Sequence, residues 1–321
     1  MTDLAIAGLM WTLVIVLVAA RRAAAERSVL YAAIAIALAQ MMNYDPWYVV
    51  VDGWFGARDI IHLASCILLL VGIFYFARAV TRAGHVRGRT VKLALGAPAL
   101  IGASVLASIG FFLIDRHEGV TSLTLFATYG DQPATALYSS AQYVYIWGVM
   151  VAVVITATRQ LKVAETKREK VTSSTLMFGG VCGATLAELV IVMDIAQVAA
   201  ADILIRALTP LYYPFNVLTF LFLITGLIWA PITRLVRQRK RHRTLRTHLD
   251  RVETLWTRAT EVRPSLVADT DRHVAHSEDR LHRRIVEIRD AALDGENGFE
   301  LTAADRALLA EVEHHLLVGT A

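Results

Sequence analysis

Seven long apolar segments lie between residues 4 and 230, and every second connection between them is loaded with Lys and Arg. Arg21, Arg22, Arg27, Arg78, Arg82, Arg87, Arg89, Lys92, Arg159, Lys162, Lys167, Arg168 and Lys170 fall on one side of the implied bilayer. Only Arg58, Arg116 and Arg206 fall on the other. Basic residues concentrate on the cytoplasmic side of membrane proteins, so this asymmetry sets orientation as well as span number. It predicts an all-α polytopic membrane protein with seven transmembrane helices, the N-terminus outside and a small helical tail in the cytoplasm. Crossing a hydrocarbon core of ~30 Å takes about 20 helical residues. A closed barrel would need alternating segments of ~10 residues instead.

The predicted helices cover about Leu4 to Ala20, Ser28 to Tyr48, Asp59 to Val80, Leu93 to Ile114, Ala136 to Thr158, Thr175 to Ala199 and Thr209 to Ala230. Asp3 precedes the first helix and Arg21 and Arg22 follow it. That is the reverse of a cleavable signal peptide, so this helix is expected to be retained. Aromatic residues gather at the expected outer interface, at Tyr44, Trp47, Tyr48, Trp54 and Phe55 and again at Tyr212 and Tyr213. An interfacial aromatic belt accounts for them. The longest outer connection, Arg116 to Thr135, carries Leu123, Leu125, Phe126 and Tyr129. It is expected to lie along the membrane or to fold over the bundle as a lid.

Three domains follow: a bundle over 1–230, a polybasic juxtamembrane segment over 231–246 and a helical domain over 247–321. Net charge is +4, but seven basic side chains crowd into Arg234 to Arg246. Beyond that run, nine basic residues face fifteen acidic ones. Basic charge beside a membrane helix is suited to anionic lipid, at ~1 kcal/mol per residue near the surface. No aromatic interleaving or reader motif accompanies it, so nucleic acid is not an expected partner. In the tail, Leu245, Leu249, Val252, Leu255 and Trp256 form a helical stripe that Pro264 ends. Leu281, Ile285 and Ile288 form a second stripe, and Thr302 to Asp305 resembles a capping box before Leu308, Leu309, Val312 and Leu316. About 75 residues make a marginal domain. The tail should therefore pack on the bundle, dimerise or bind a cytoplasmic protein, with Arg283, Arg284, Glu287 and Arg289 as candidate partner-binding residues.

Charge inside a membrane points to function because it is costly, ~2.5–3.5 kcal/mol for a carboxylate at a helix centre. Glu188 sits near the middle of the sixth helix, and Asp194 lies nearer its outer end. Gly179, Gly183 and Ala187 form a small-residue seam on that helix. Glu188 is adjacent to it and is expected to face the bundle interior. Gln40, Asn43, His62, Gln142 and Asn216 all fall in the expected outer half of the bilayer. Together with Asp194 they predict a polar pocket open to the outside, with Glu188 as its floor. Pro214 would free the Pro210 carbonyl for a water, ion or ligand. Interhelical hydrogen bonding is the competing reading for each neutral polar residue.

Several chemistries find no support in the sequence. A retinal protein needs a Lys in its seventh helix, and none lies between Thr209 and Ala230. No kinase, phosphate-loop or zinc-deaminase signature occurs in the tail. Cys66 and Cys182 form no disulfide framework or metal spacing. His273 and His276, with His282 nearby, lack a further strong ligand and read as a solvated linker. No catalytic residues, metal site or cofactor is expected. Arg outnumbers Lys by 27 to 5, as in high-GC bacterial proteins.

Leu255-Trp256, Pro264 and the stretch from Arg280 to Asp290, which reads RLHRRIVEIRD, form the most distinctive pattern. It resembles a family of actinobacterial seven-helix integral membrane proteins with a C-terminal domain of unknown function, often labelled transporters. Asp52, Gly56 and His62 fit the resemblance more loosely. It implies a plasma-membrane location and a transport or regulatory role, and carries over no catalytic residue. The leading expectation is a transporter of a small polar or cationic solute with Glu188 as its binding or protonation site. Asp194, His62, Gln142, Asn216 and Asn43 would line the way in. A membrane sensor relaying an external ligand to a cytoplasmic partner is the alternative.

Overall fold

The computed structural model describes residues 2–19, 26–83, 93–116, 125–262, 277–293 and 299–318. Arg21, Arg22, Arg87, Arg89, Lys92, Leu123, Pro264, His273 and His276 lie outside the described residues, as do the side chains of 233–242 and Leu316. Eleven helices and no strand occur among the described residues. They are α1 (Thr2–Ala19), α2 (Glu26–Met42), α3 (Asp45–Trp54), α4 (Ile60–Ala83), α5 (Ala97–Leu113), α6 (Leu125–Tyr129), α7 (Pro133–Val163), α8 (Lys167–Val198), α9 (Asp202–Val262), α10 (Ser277–Leu293) and α11 (Ala303–Val318).

Four of these hold stretches long and apolar enough to cross a membrane: Ile60–Arg82, Pro133–Val163, Lys167–Val198 and Asp202–Trp229. Three further apolar stretches, Ala7–Ala19, Arg27–Met42 and Ala97–Leu113, are shorter. At 1.5 Å per residue, the 17 residues of α5 span about 26 Å, a little under the hydrocarbon thickness.

Proline sets several of the boundaries. The expected second helix ends at Met42 instead of Tyr48, and α3 begins afresh with Pro46 in its first turn. Pro98 and Pro133 open α5 and α7 in the same way. Proline suits the first turn because the missing N–H has no intrahelical partner there. Pro210 and Pro214 lie inside α9 and do not interrupt it.

The chain divides into two compact units, Met1–Ile232 and Thr233–Ala321, and the division falls within α9. In the first unit α7 packs on α8 and α5, α2 packs on α4 and α1, and α4 packs on α7. Glycine permits the closest approaches. A Cβ on Gly110 would lie 2.6 Å from the Tyr138 backbone nitrogen of α7. One on Gly179 would lie 2.9 Å from the Leu223 nitrogen of α9, and one on Gly183 2.9 Å from Met150. The predicted seam of α8 is thus where α7 and α9 come nearest.

The second unit has its own core. Leu245, Val252, Leu255 and Ala259 of α9 meet Leu281, Ile285 and Ile288 of α10 and Leu309 and Val312 of α11. Thr302 and Asp305 form the expected reciprocal cap. The Asp305 N–H donates to Thr302 Oγ1 at 3.2 Å, and the Thr302 N–H to Asp305 Oδ2 at 3.0 Å.

Candidate functional site

Six helices of the first unit each turn one stripe of side chains toward a shared cavity of about 970 Å³. From α4 come His62, Ser65, Cys66, Leu69, Ile73 and Phe76, and from α7 Ser139, Gln142, Tyr143, Ile146 and Met150. Gly183, Leu186, Val190, Met193, Asp194 and Gln197 line it from α8. The α9 stripe runs from Asp202 and Thr209 through Tyr212 and Asn216 to Phe220, Ile224 and Leu227. Shorter stripes come from α1 and from α2, where Gln40 contributes, with Asn43 just past the end of α2. The three-and-four spacing is that of single helix faces.

Each stripe changes character along its length. Polar residues stand early in α4, α7 and α9 and late in α2 and α8; apolar residues fill the other ends. Successive helices run in opposite directions, so all the polar ends meet at one end of the cavity. The described part of the long connection lies there, with Leu125, Phe126, Thr128, Gly130 and Asp131 in the wall. Leu125 and Tyr129 are buried, so this segment folds over the bundle. A Cβ on Gly130 would collide with the Gln197 side chain and the Phe126 carbonyl.

Asn43, His62, Gln142, Asp194 and Asn216, all expected from sequence, are brought together in this wall. The expected floor, Glu188, is not there. It is exposed on the outside of the bundle and accepts a 2.7 Å hydrogen bond from Trp147 Nε1. Ala187 is the residue packed in the seam, at 0% exposed; the next position lies about 100° further round the helix and turns outward. Pro210 is not part of the wall either, although its neighbour Thr209 is.

Asp194 is the buried acid of the site. It is 5% exposed, and Ser140 Oγ donates to its Oδ2 at 3.2 Å. Among the described residues no ion pair meets it. Asp131 and Asp202 also line the cavity, whereas no Lys or Arg does so among the described residues. Several other polar groups are tied together in pairs. His62 Nδ1 lies 2.7 Å from Tyr138 Oη, the Cys66 thiol donates to Gln142 Oε1 at 2.8 Å, and Ser65 donates to Asn43 Oδ1 at 2.9 Å.

His62 owes its position to the turn before α4. Gly56, Ala57 and Asp59 all have positive φ, at 81°, 52° and 55°. Such backbone is unfavourable for Ala and Asp and persists only when the surroundings impose it. Asp52 imposes it here: its carbonyl accepts the Ala57 N–H at 3.0 Å and its Oδ2 accepts the Asp59 N–H at 3.0 Å. Tyr48 Oη donates to Asp59 Oδ1 at 2.7 Å. Beside this turn the Arg116 guanidinium donates to the Arg58 and Phe111 carbonyls at 2.8 and 2.6 Å. Burial lowers the Arg116 pKa, and Asp59 opposes that shift. These ties join Asp52, Gly56 and the start of α4 in one turn.

Sequence reasoning missed Asp131, Asp202 and Tyr143, and assigned Tyr212 and Tyr213 to an aromatic belt. Tyr143 was legible, one residue after Gln142 on the face that repeats at 139, 142, 146 and 150. Asp131 and Asp202 carried no such signal, because neither lies in an expected span.

Arg283, Arg284, Glu287 and Arg289, the candidate partner-binding residues, make ion pairs within the second unit. Arg283 pairs with Glu287 at 2.8 Å and Arg289 with Glu313 at 2.7 Å. Arg284 pairs with Glu253 and lies 4.7 Å from the Trp256 ring centre, and Trp256 Nε1 donates to Glu287 at 2.6 Å. Their amphipathic helix has its apolar face in the core, which brings the flanking charges against α9 and α11.

The model of a family of unknown function (DUF6545) matches residues 237–316. It covers much of the second unit and none of the cavity. No curated protein and no solved structure matches the chain.

Proposed function

We propose that this protein is a transporter for a small polar or cationic solute, built on seven membrane-crossing helices. In this reading the N-terminus is outside and the cavity opens to the exterior of the plasma membrane. The C-terminal unit is then cytoplasmic, and Arg234–Arg246 lies against anionic lipid. The chain carries out no covalent chemistry. The observation that carries the proposal is Asp194, a carboxylate 5% exposed in a cavity whose described lining holds two further aspartates and no Lys or Arg. A buried carboxylate without a cationic neighbour is unfavourable in an apolar bundle. A cationic ligand relieves that cost. Uptake by proteoliposomes of a panel of labelled amines, amino acids and polyols tests the reading. Asp194→Asn should abolish the flux of the accepted solute, and Glu188→Gln should leave it near the unsubstituted rate. Flux of every solute indifferent to Asp194, or no flux at all, overturns it.

One observation favours a sensor as the second reading. The helix α9 contributes Asn216 to the cavity and Leu245, Val252 and Leu255 to the C-terminal core. If ligand binding changed amide exchange over residues 245–262 without any flux, signalling would replace transport.

A further inference from the structure

The cavity is not uniformly polar. At one end stand Asp194, Gln142 and Asn216; toward the other the wall is Ile73, Phe76, Met150, Leu223, Ile224 and Leu227. A fully hydrated inorganic cation or a polyol gains nothing from that second zone. A metal ion is poorly served by the first: among the described residues no group of three or more His, Cys, Asp or Glu converges, and hard cations take six or more oxygen ligands. A volume of about 970 Å³ belongs to the range of sites for whole organic molecules. Tyr143, Tyr212 and Tyr213 add aromatic surface near the acidic end, of the kind that attracts organic ammonium groups.

We infer that the cavity takes one amphiphilic organic monocation, a protonated amine with a hydrocarbon or aromatic body. Its ammonium group lies against Asp194 and its apolar part lies along Met150, Leu223 and Ile224. Burial of the body is favourable by the hydrophobic effect. The ammonium supplies the charge partner that Asp194 otherwise lacks, and Asp131 and Asp202, of the same sign, favour cations over anions. This inference rests on the cavity reading above but not on transport.

Binding of four probes to the full chain in lipid nanodiscs tests it, by titration calorimetry: 2-phenylethylammonium, its neutral counterpart 2-phenylethanol, the anion 3-phenylpropionate and methylammonium. The expected result is saturable binding of 2-phenylethylammonium, about tenfold or more tighter than 2-phenylethanol and methylammonium, with no saturable binding of the anion. Asp194→Asn should remove that preference for charge. Glu188→Gln, outside the cavity, should keep it and serves as the folding control. Met150→Ala should bring 2-phenylethylammonium closer to methylammonium. Equal binding of the neutral probe, equal binding of methylammonium, preserved preference in Asp194→Asn, or no saturable binding would each overturn the inference. Binding as expected without flux in proteoliposomes would leave it standing and remove transport alone.

Discussion

Asp194 and Glu188 lie six positions apart on α8 and about 120° apart around it, so one carboxylate is buried in the cavity wall and the other is exposed beside Trp147. The exposed pair lies on the outer faces of α7 and α8, each long and apolar enough to cross a membrane. Trp147→Phe removes the 2.7 Å hydrogen bond to Glu188 and should cost about 1–3 kcal/mol, because in a bilayer the carboxylate is left facing hydrocarbon without that donor. Thermal unfolding of the two proteins in the same detergent measures it.

Tyr138 is fully buried and its hydroxyl lies 2.7 Å from His62 Nδ1. Tyr138→Phe keeps the ring and removes that partner. It should destabilise the bundle by about 1–3 kcal/mol, the cost of leaving a buried polar group unpaired. Denaturant unfolding followed by tryptophan fluorescence should register the loss.

Asp52 holds the strained turn that leads into α4. Asp52→Ala releases the Asp59 N–H at that position and should cost about 1–3 kcal/mol. Because the turn sets the start of α4, the imidazole resonances of His62 should shift as well. A substituted protein with unmoved His62 signals would show that the turn does not position it.

The seam between α8 and α9 admits no side chain at Gly179, where a Cβ would meet backbone at 2.9 Å. Gly179→Leu should therefore destabilise by about 1–3 kcal/mol through overpacking, whereas Gly102→Leu, with open space around its Cβ, should not. Comparing the midpoints of the two proteins is sufficient.

Asp305 caps α11, and the Thr302 backbone N–H that it accepts holds its carboxyl below the usual aspartate pKa of 3.8. A group with a lowered folded pKa binds fewer protons when folded. Its contribution is fully present above pH 3.8 and is lost as pH falls through the lower folded value. Amide exchange along α11 should accelerate over that acidic window. Thr302→Ala should weaken the cap by about 1 kcal/mol at neutral pH.

The C-terminal unit was largely legible. The stripes at 245–256, 281–288 and 308–312 became core because a helix with apolar residues at three-and-four spacing can bury only one face. The polar pocket was legible too, since Asn43, His62, Gln142, Asp194 and Asn216 share one depth. Glu188 shares the right helix but not the right face, and depth by residue count contains no azimuth. The break between α2 and α3 was marked by Pro46 but placed too late, because a proline in a first turn and one ending a helix look alike until the flanking dihedrals are known.

Hydropathy and charge alone determined that this chain is helical, apolar enough for a bilayer and carries an acid where acids are costly. Those properties belong to local composition and to the solvent, and no packing is needed to read them. Which acid faces the cavity was decided only when α8 settled its glycine seam against α7 and α9. That contact sets the rotation of the helix, and rotation arises from surfaces far apart in the chain. The same contact put Asp131 and Asp202, from connections with no periodic signal, into one cavity wall with Asp194.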